Sequence, residues 1–291
     1  MFYLYKIAQF LLLNLPLKVG YAIATFIANA YFLFSKKDKN ALIANIKVVL
    51  NNPSKDEFAR HCARMCFINF GKYLVDFLRF KKIDQGYIHS NVAIEGLENV
   101  KEALRHKKGA IMLSSHIGNW ELAGAVFSLS MGFPHIDFPL YAIALDHVDK
   151  KVNDFFIKQR ASKGVQTIPI GVKLKQCFQV LRKNKALAIL GDRDFSEKGE
   201  KIEFLGKETL LPKGPAVFFV RTGAPILPVF MLREKSDKFR FVIESPINHA
   251  LTGNEERDKR EIIKSYVSVI ERYIKKYPDQ WYVFRNVWNE T

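Results

Sequence analysis

Apolar and polar positions along this chain follow two rhythms, which predict helices at the start and a strand–helix succession after residue 92. Phe2–Leu15 is apolar apart from Lys6 and a few uncharged polar residues, and Pro16 breaks it. Val19–Phe34 follows without a charge and stops at Ser35-Lys36-Lys37-Asp38-Lys39. Residues 41–83 alternate at helical spacing, interrupted at Asn51-Asn52-Pro53-Ser54, and Ser54-Lys55-Asp56-Glu57 has the capping-box pattern of a helix start. Phe58, Cys62, Cys66, Phe70, Tyr73 and Phe77 recur every three or four residues, which is a core face rather than a cofactor box.

After Asn91 the rhythm changes. Val92–Leu97 predicts an edge strand and Glu98–His106 a short helix. Gly109–Leu113 predicts a buried strand, because apolar or small residues sit there between a charged run and polar residues. Leu122–Leu129 predicts a helix, Tyr141–Leu145 a strand, and Val148–Gly164 a basic helix stopped by Lys163-Gly164. Val165–Ile170 and Ala186–Leu190 read as strands around a helix at Lys173–Asn184. Lys213-Gly214-Pro215-Ala216 opens a helix with proline in its first turn, where the missing N–H is harmless. A strand follows Gly223-Ala224-Pro225, Phe239–Glu244 pairs as another, and Thr252–Lys276 is an amphipathic helix. The predicted fold is α/β, a mainly parallel mixed sheet flanked by helices, with an N-terminal apolar helical anchor. Residues 1–40 are assigned to the anchor and 41–291 to the α/β domain.

Composition narrows the class. A chain of 291 residues that is 48% apolar, with 24 Phe and 11 Tyr, buries a large core and is not disordered. Its net charge of +16 calls for an anionic partner such as nucleic acid, membrane headgroups or an acidic carrier. Cys62, Cys66 and Cys177 form no even framework and read as reduced packing thiols; too few ligands surround them for a metal site.

Each half of the apolar start is shorter than the ~20 residues of a perpendicular span. No small-x-small cleavage site closes a single apolar region, so the segment is expected to stay as a membrane anchor rather than a cleaved signal. It forms either one tilted span or a hairpin in the interface, with the lysines after Phe34 on the cytoplasmic side. A helical hairpin buried in the main domain is the alternative.

The chemistry concentrates in Ser114-Ser115-His116-Ile117-Gly118-Asn119-Trp120-Glu121. His116 lies just past the carboxyl end of a predicted strand, where open α/β sheets place their ligands. Glu121 follows five residues on, in the first turn of the next helix. From there a carboxylate can fold back on an imidazole and fix its tautomer. Taken singly, a histidine after a strand is commonly a hydrogen-bonded turn residue, and a first-turn glutamate commonly complements the helix dipole.

The stretch resembles the His-x4-Asp/Glu signature of the glycerolipid and lipid A acyltransferase superfamily, and its extended form resembles the branch that adds secondary acyl chains to lipid A. Phe155-Phe156-Ile157-Lys158-Gln159-Arg160 resembles the second block, which implies that Arg160 contacts a phosphate of acceptor or carrier. Gly191-Asp192-Arg193-Asp194-Phe195, with Phe204-Leu205-Gly206, resembles the third, implying that Asp192, Arg193 and Asp194 bind the acceptor headgroup. Arg221–Phe230 resembles the fourth block, and Tyr277-Pro278-Asp279-Gln280-Trp281 the closing segment. The branch usually continues with paired arginines, where this chain has Arg285 alone before Asn286. The blocks run in order over roughly residues 40–288, and order says more than any block alone.

The resemblance implies a membrane-bound acyltransferase at the cytoplasmic side of a bacterial inner membrane. It would carry a fatty acyl chain from an acyl carrier protein or acyl-coenzyme A thioester to a hydroxyl of an anionic glycolipid such as a lipid A precursor. A lysophospholipid or glycosylated phospholipid is the other acceptor class. His116 is the expected general base and Glu121 the group that holds its other nitrogen. Backbone N–H groups at Gly118 and Asn119 are the expected oxyanion donors, which places Asn119 among the substrate contacts. No acyl-enzyme is needed, so Ser114 and Ser115 are not nucleophiles, and no metal or organic cofactor is implied. A nucleic-acid binder fits the charge but not the apolar start, and a non-catalytic membrane protein leaves the His116–Glu121 register unexplained. A serine hydrolase lacks its Gly-x-Ser-x-Gly elbow.

Overall fold

The apolar runs after residue 92 become the strands of one seven-stranded sheet. The computed structural model describes residues 1–52, 55–131, 139–170, 174–195 and 198–288. Ser54, expected to open a capping box, and Lys173, expected to open a helix, lie outside the described residues.

In chain order the sheet strands are β1 (Val92–Glu95), β2 (Ala110–Ser114), β3 (Leu140–Ala144), β4 (Val165–Pro169) and β5 (Ala186–Leu190). A separate hairpin, β6 (Glu200–Phe204) and β7 (Lys207–Leu211), intervenes before β8 (Ile226–Arg233) and β9 (Phe239–Ile243) complete the sheet. The order is β1-β9-β8-β2-β5-β3-β4, and every pair is parallel except β8–β9, which a tight turn joins. The expected α/β class and mainly parallel mixed sheet are therefore present, with β1 at one edge.

Helices cover both faces, as a buried parallel strand requires. Alternate residues of β2 point to opposite sides: Ile111 and Leu113 join the cluster of Tyr266 and Ile270 from α11 (Glu255–Lys276), while Ala110 and Met112 join that of Leu122 and Val126 from α7 (Trp120–Met131). The β6–β7 hairpin was not expected. Its turn holds Leu205 at φ 54° and Gly206 at φ 82°, and leucine there announces no such turn.

The apolar start folds into two helices, α1 (Phe2–Asn14) and α2 (Leu17–Phe34), broken at Pro16. They lie on α4 (Asp56–Leu78), which follows α3 (Lys36–Leu50). Tyr21, Ala24, Ala28 and Phe32 form the buried stripe of α2. Gly71 of α4 permits the close approach, since a Cβ there would sit 3.2 Å from the Ala24 carbonyl oxygen. Buried Gln9 donates to the Leu78 carbonyl at 3.3 Å, and Arg79 caps the Leu12 and Leu15 carbonyls where α1 ends. The outer face carries Phe10, Phe26, Leu33 and Phe34, between 68% and 83% exposed. Among the described residues, α2 is the one helix long and apolar enough to cross a membrane.

Candidate active site

β2 delivers the chain into the His116 loop at the carboxyl edge of the sheet, and three backbone hydrogen bonds fix that loop. The Gly118 N–H donates to the Gln280 carbonyl (2.9 Å), the Asn119 N–H to the Met231 carbonyl (2.8 Å), and the Tyr282 N–H to the His116 carbonyl (2.8 Å). Gly118 is needed because φ is +64° and a Cβ would sit 2.0 Å from the Met231 oxygen. The Asn119 side-chain oxygen accepts from the Leu122 N–H at 3.0 Å and so caps the start of α7.

The histidine ring is held from the neighbouring strand. β2 and β5 run parallel with Ser114 opposite Leu190, and the Gly191 N–H donates to the Ser114 carbonyl at 2.8 Å. Asp192 therefore arrives beside His116. Its Oδ1 lies 2.9 Å from His116 Nδ1, while its Oδ2 accepts the His116 backbone N–H and the Trp281 indole N–H, each at 2.9 Å. Burial alone would push the Asp192 carboxyl up, but the His116 charge and these donors outweigh it and hold the pKa below the usual carboxylate value. The carboxylate is thus ionised at neutral pH and accepts a hydrogen bond from Nδ1–H. That leaves the lone pair on Nε2, which has no hydrogen-bond partner among the described residues. The partly exposed ring sits edge-on to Trp120, with centroids 5.1 Å apart, and to Phe195 at 6.4 Å. Such an imidazole is arranged to take a proton from a group approaching Nε2. No group of three or more His, Cys, Asp or Glu side chains is placed to hold a metal ion among the described residues.

Residues 1–290 match the sequence profile of the family described as bacterial lipid A biosynthesis acyltransferase. The chain belongs to this family. It is similar to the phosphatidylinositol mannoside acyltransferase of Mycolicibacterium smegmatis, 24% identical over 189 residues, which cover 64% of this chain and 60% of that protein. The protein of the same name from Mycobacterium tuberculosis (strain H37Rv) is 29% identical over 166 residues, 55% of this chain and 51% of its own length. The chain thus spans only part of the length of these relatives.

Within this acyltransferase family member, several expected contacts are redistributed. Glu121 does not hold the ring: its two oxygens take three hydrogen bonds from Arg160 of α8 (Lys150–Ala161), at 2.6, 2.9 and 3.1 Å. The cause is helical geometry. Trp120 packs on the His116 ring, and Glu121, one position round α7, faces α8. Arg160 is correspondingly engaged by a carboxylate rather than presented to a phosphate, and its side chain is 12% exposed. The N–H groups of Gly118 and Asn119 are spent on carbonyls, so they are not oxyanion donors, and the Asn119 side chain is buried on Asp76 and α7. Asp194 accepts the Gly199 N–H at 3.1 Å. Arg193 is half-buried with its guanidinium carbon 4.3 Å from the Phe195 ring centroid. Trp281 was not singled out as a site residue. The usable signal is that a fully buried tryptophan must satisfy its N–H, here on Asp192.

The Glu121–Arg160 pair gives a direct expectation. Glu121→Ala leaves a largely buried guanidinium without its carboxylate, so the protein should lose about 3–5 kcal/mol of stability. Calorimetry or denaturant unfolding checks this; an unchanged unfolding midpoint would show the pair to be dispensable.

Proposed function

We propose that the chain is a membrane-associated O-acyltransferase that moves a fatty acyl group from an acyl carrier protein or acyl-coenzyme A thioester to a hydroxyl of an anionic glycolipid. The observation that carries this reading is the His116–Asp192 pair, which leaves Nε2 of a partly exposed ring without a partner among the described residues at the carboxyl edge of a mainly parallel sheet. Family membership supports acyl transfer to a lipid, and the relatives' names support a mannosylated phospholipid as acceptor beside a lipid A precursor.

The chemistry follows from the ring. A sugar hydroxyl binds near Nε2, and its oxygen attacks the thioester carbonyl carbon as Nε2 takes the hydroxyl proton. The new C–O bond forms, the tetrahedral centre collapses with cleavage of C–S, and the imidazolium returns the proton to the departing thiolate. Asp192 stabilises the imidazolium between those steps. The acyl group never resides on the protein, so Ser114 and Ser115 carry no covalent role. Arg193 and Arg285, both over the Phe195 ring, supply positive charge for a phosphate of acceptor or donor.

The apolar hairpin suits this task. From Trp120, ring contacts pass through Tyr73, Phe70 and Phe284 to Phe67, which touches Phe32 of α2. The site and the hairpin are therefore joined through one aromatic cluster, largely buried between α2, α4 and the His116 loop. Residues 1–40 serve as an interfacial anchor whose other face grips α4, and the +16 charge favours an anionic cytoplasmic leaflet, that of a bacterial inner membrane.

Incubating the protein with vesicles that contain phosphatidylinositol mannosides or a lipid A precursor, and with each acyl donor, tests the reading. Mass spectrometry should detect an acceptor heavier by one acyl chain. Thioester hydrolysis without any acylated lipid would overturn it.

A further inference from the structure

A buried ionic cluster joins the apolar hairpin to the loop that carries His116. Asp76 of α4 is 3% exposed and Arg233, at the end of β8, is 7% exposed. Arg233 Nη2 donates to Asp76 Oδ2 at 2.5 Å, and Arg233 Nη1 donates to the Tyr21 hydroxyl of α2 at 3.1 Å. The Tyr21 hydroxyl in turn donates to Asp76. From the other side, the Asn119 side-chain amide donates to Asp76 Oδ2 at 2.9 Å. Gln280 clamps the backbone of Arg233 from both ends, accepting its N–H at 2.9 Å and donating to its carbonyl at 2.8 Å, while the Gln280 carbonyl accepts the Gly118 N–H. The Gly118 and Asn119 N–H groups thus rest on Gln280 and on the adjoining end of β8, and the Asn119 amide rests on Asp76.

Such an arrangement is a poor way to gain stability. A buried ion pair loses in desolvation most of what it gains in attraction, and apolar residues of similar volume serve a core as well. What the pair does supply is direction: Asp76 accepts from α2, from β8 and from the loop at once, so these three elements fit together in one relative placement. Tyr73, one turn earlier on α4, packs on Trp120, which touches His116. α4 therefore meets the loop through Asp76 and Tyr73, and the hairpin through Asp76, Gly71 and Phe67.

We propose that Asp76, Arg233 and Tyr21 form a positioning cluster through which the seating of the apolar hairpin on α4 sets the placement of His116, so that turnover depends on a docked hairpin. This rests on the acyl-transfer reading above. None of the three residues touches the reacting atoms; they act through Asn119 and the Gly118 turn. Engagement of the hairpin with a lipid surface and alignment of the base become parts of one equilibrium.

Tyr21→Phe is the sharpest test. It removes one hydroxyl and keeps the ion pair and the ring, over which Arg233 lies at 5.0 Å. Asp76→Ala would leave the buried guanidinium with the longer contact of Nη1 to Asp237, at 3.4 Å, as its carboxylate, and is expected to misfold. With the full chain on vesicles, Tyr21→Phe should lower kcat about ten-fold, equivalent to about 1.4 kcal/mol in the barrier, with KM for the acyl donor unchanged. Hydrogen exchange should quicken in a peptide spanning residues 116–121 while strands β2 and β5 keep their protection. The double substitution Asp76→Leu with Arg233→Met, which removes both charges together, should show the same local signature with a larger loss of kcat. Wild-type kcat and wild-type exchange at 116–121 in either variant would overturn the proposal, as would a loss of kcat with equally faster exchange throughout. His116→Ala measured alongside separates the two readings. Retained turnover there removes His116 from the chemistry, and a wild-type protein that acylates no lipid removes the acyl-transfer reading, whereas the exchange at 116–121 still decides the coupling.

Discussion

His116→Ala is expected to lower turnover by about 10²–10⁴-fold, the usual worth of general-base assistance, with the fold unchanged. Among the described residues the ring makes one side-chain hydrogen bond, to Asp192, and otherwise meets Trp120 and Phe195 at its edges, so the core does not depend on it. The loop around it is tied by backbone bonds at His116, Gly118 and Asn119 that an alanine keeps. A hydroxyl proton is held far above neutral pH, and without a base the attack waits on water. The measurement is kcat on a saturating lipid acceptor, with circular dichroism as the control for folding. KM should move little, because the lost interaction belongs to the transition state. A folded His116→Ala protein with near-normal kcat would remove the histidine from the chemistry.

Asp192→Asn is expected to cost almost as much, for a reason visible in its hydrogen bonds. Asp192 Oδ2 already accepts two N–H groups, from the His116 backbone and the Trp281 indole. In the asparagine variant the amide oxygen must stay on those donors, which turns the NH2 group toward Nδ1. Nδ1 then has to accept, the proton moves to Nε2, and the base is lost from the side that faces substrate. A buried aspartate that fixes a histidine tautomer in serine proteases costs ~10⁴ in kcat when so replaced. About 10²–10⁴ is expected here, with little loss of stability because shape and both accepted bonds survive. Unchanged kcat would return Asp192 to a structural role.

How much of this was legible in the sequence depends on distance along the chain. The strands and helices after residue 92 follow apolar runs bounded by charged residues and turns, and Ala186–Leu190 is observed with the bounds expected of it. The mixed character also came through, because Phe239–Ile243 follows its partner too closely for a crossover helix. Contacts across the sheet were not legible. Glu121 was assigned to His116 because five residues separate them, a local argument that ignores the direction each helical residue faces. The true partner, Asp192, lies 76 residues away and reaches His116 only because β5 adjoins β2, an adjacency that no single strand states. Arg160 was expected at a phosphate from the resemblance of its segment to the superfamily's second block, and its bond to Glu121 needs the packing of α7 on α8. The hairpin was half legible: its apolar face is written in Phe10 and Phe26, but its grip on α4 rests on Tyr21 and Gln9, which look like ordinary interruptions.

The central claim is that Asp192 holds the His116 ring with its proton on Nδ1 and its lone pair on Nε2. Nitrogen-15 NMR of histidine-labelled protein, with the His116 signals assigned by their loss in His116→Ala, measures this directly. At a pH where the ring is neutral, the account predicts a protonated, hydrogen-bonded Nδ1 and a bare Nε2, and the reverse pattern in Asp192→Asn. A wild-type ring protonated on Nε2, or an Asp192→Asn spectrum identical to wild type, would contradict it.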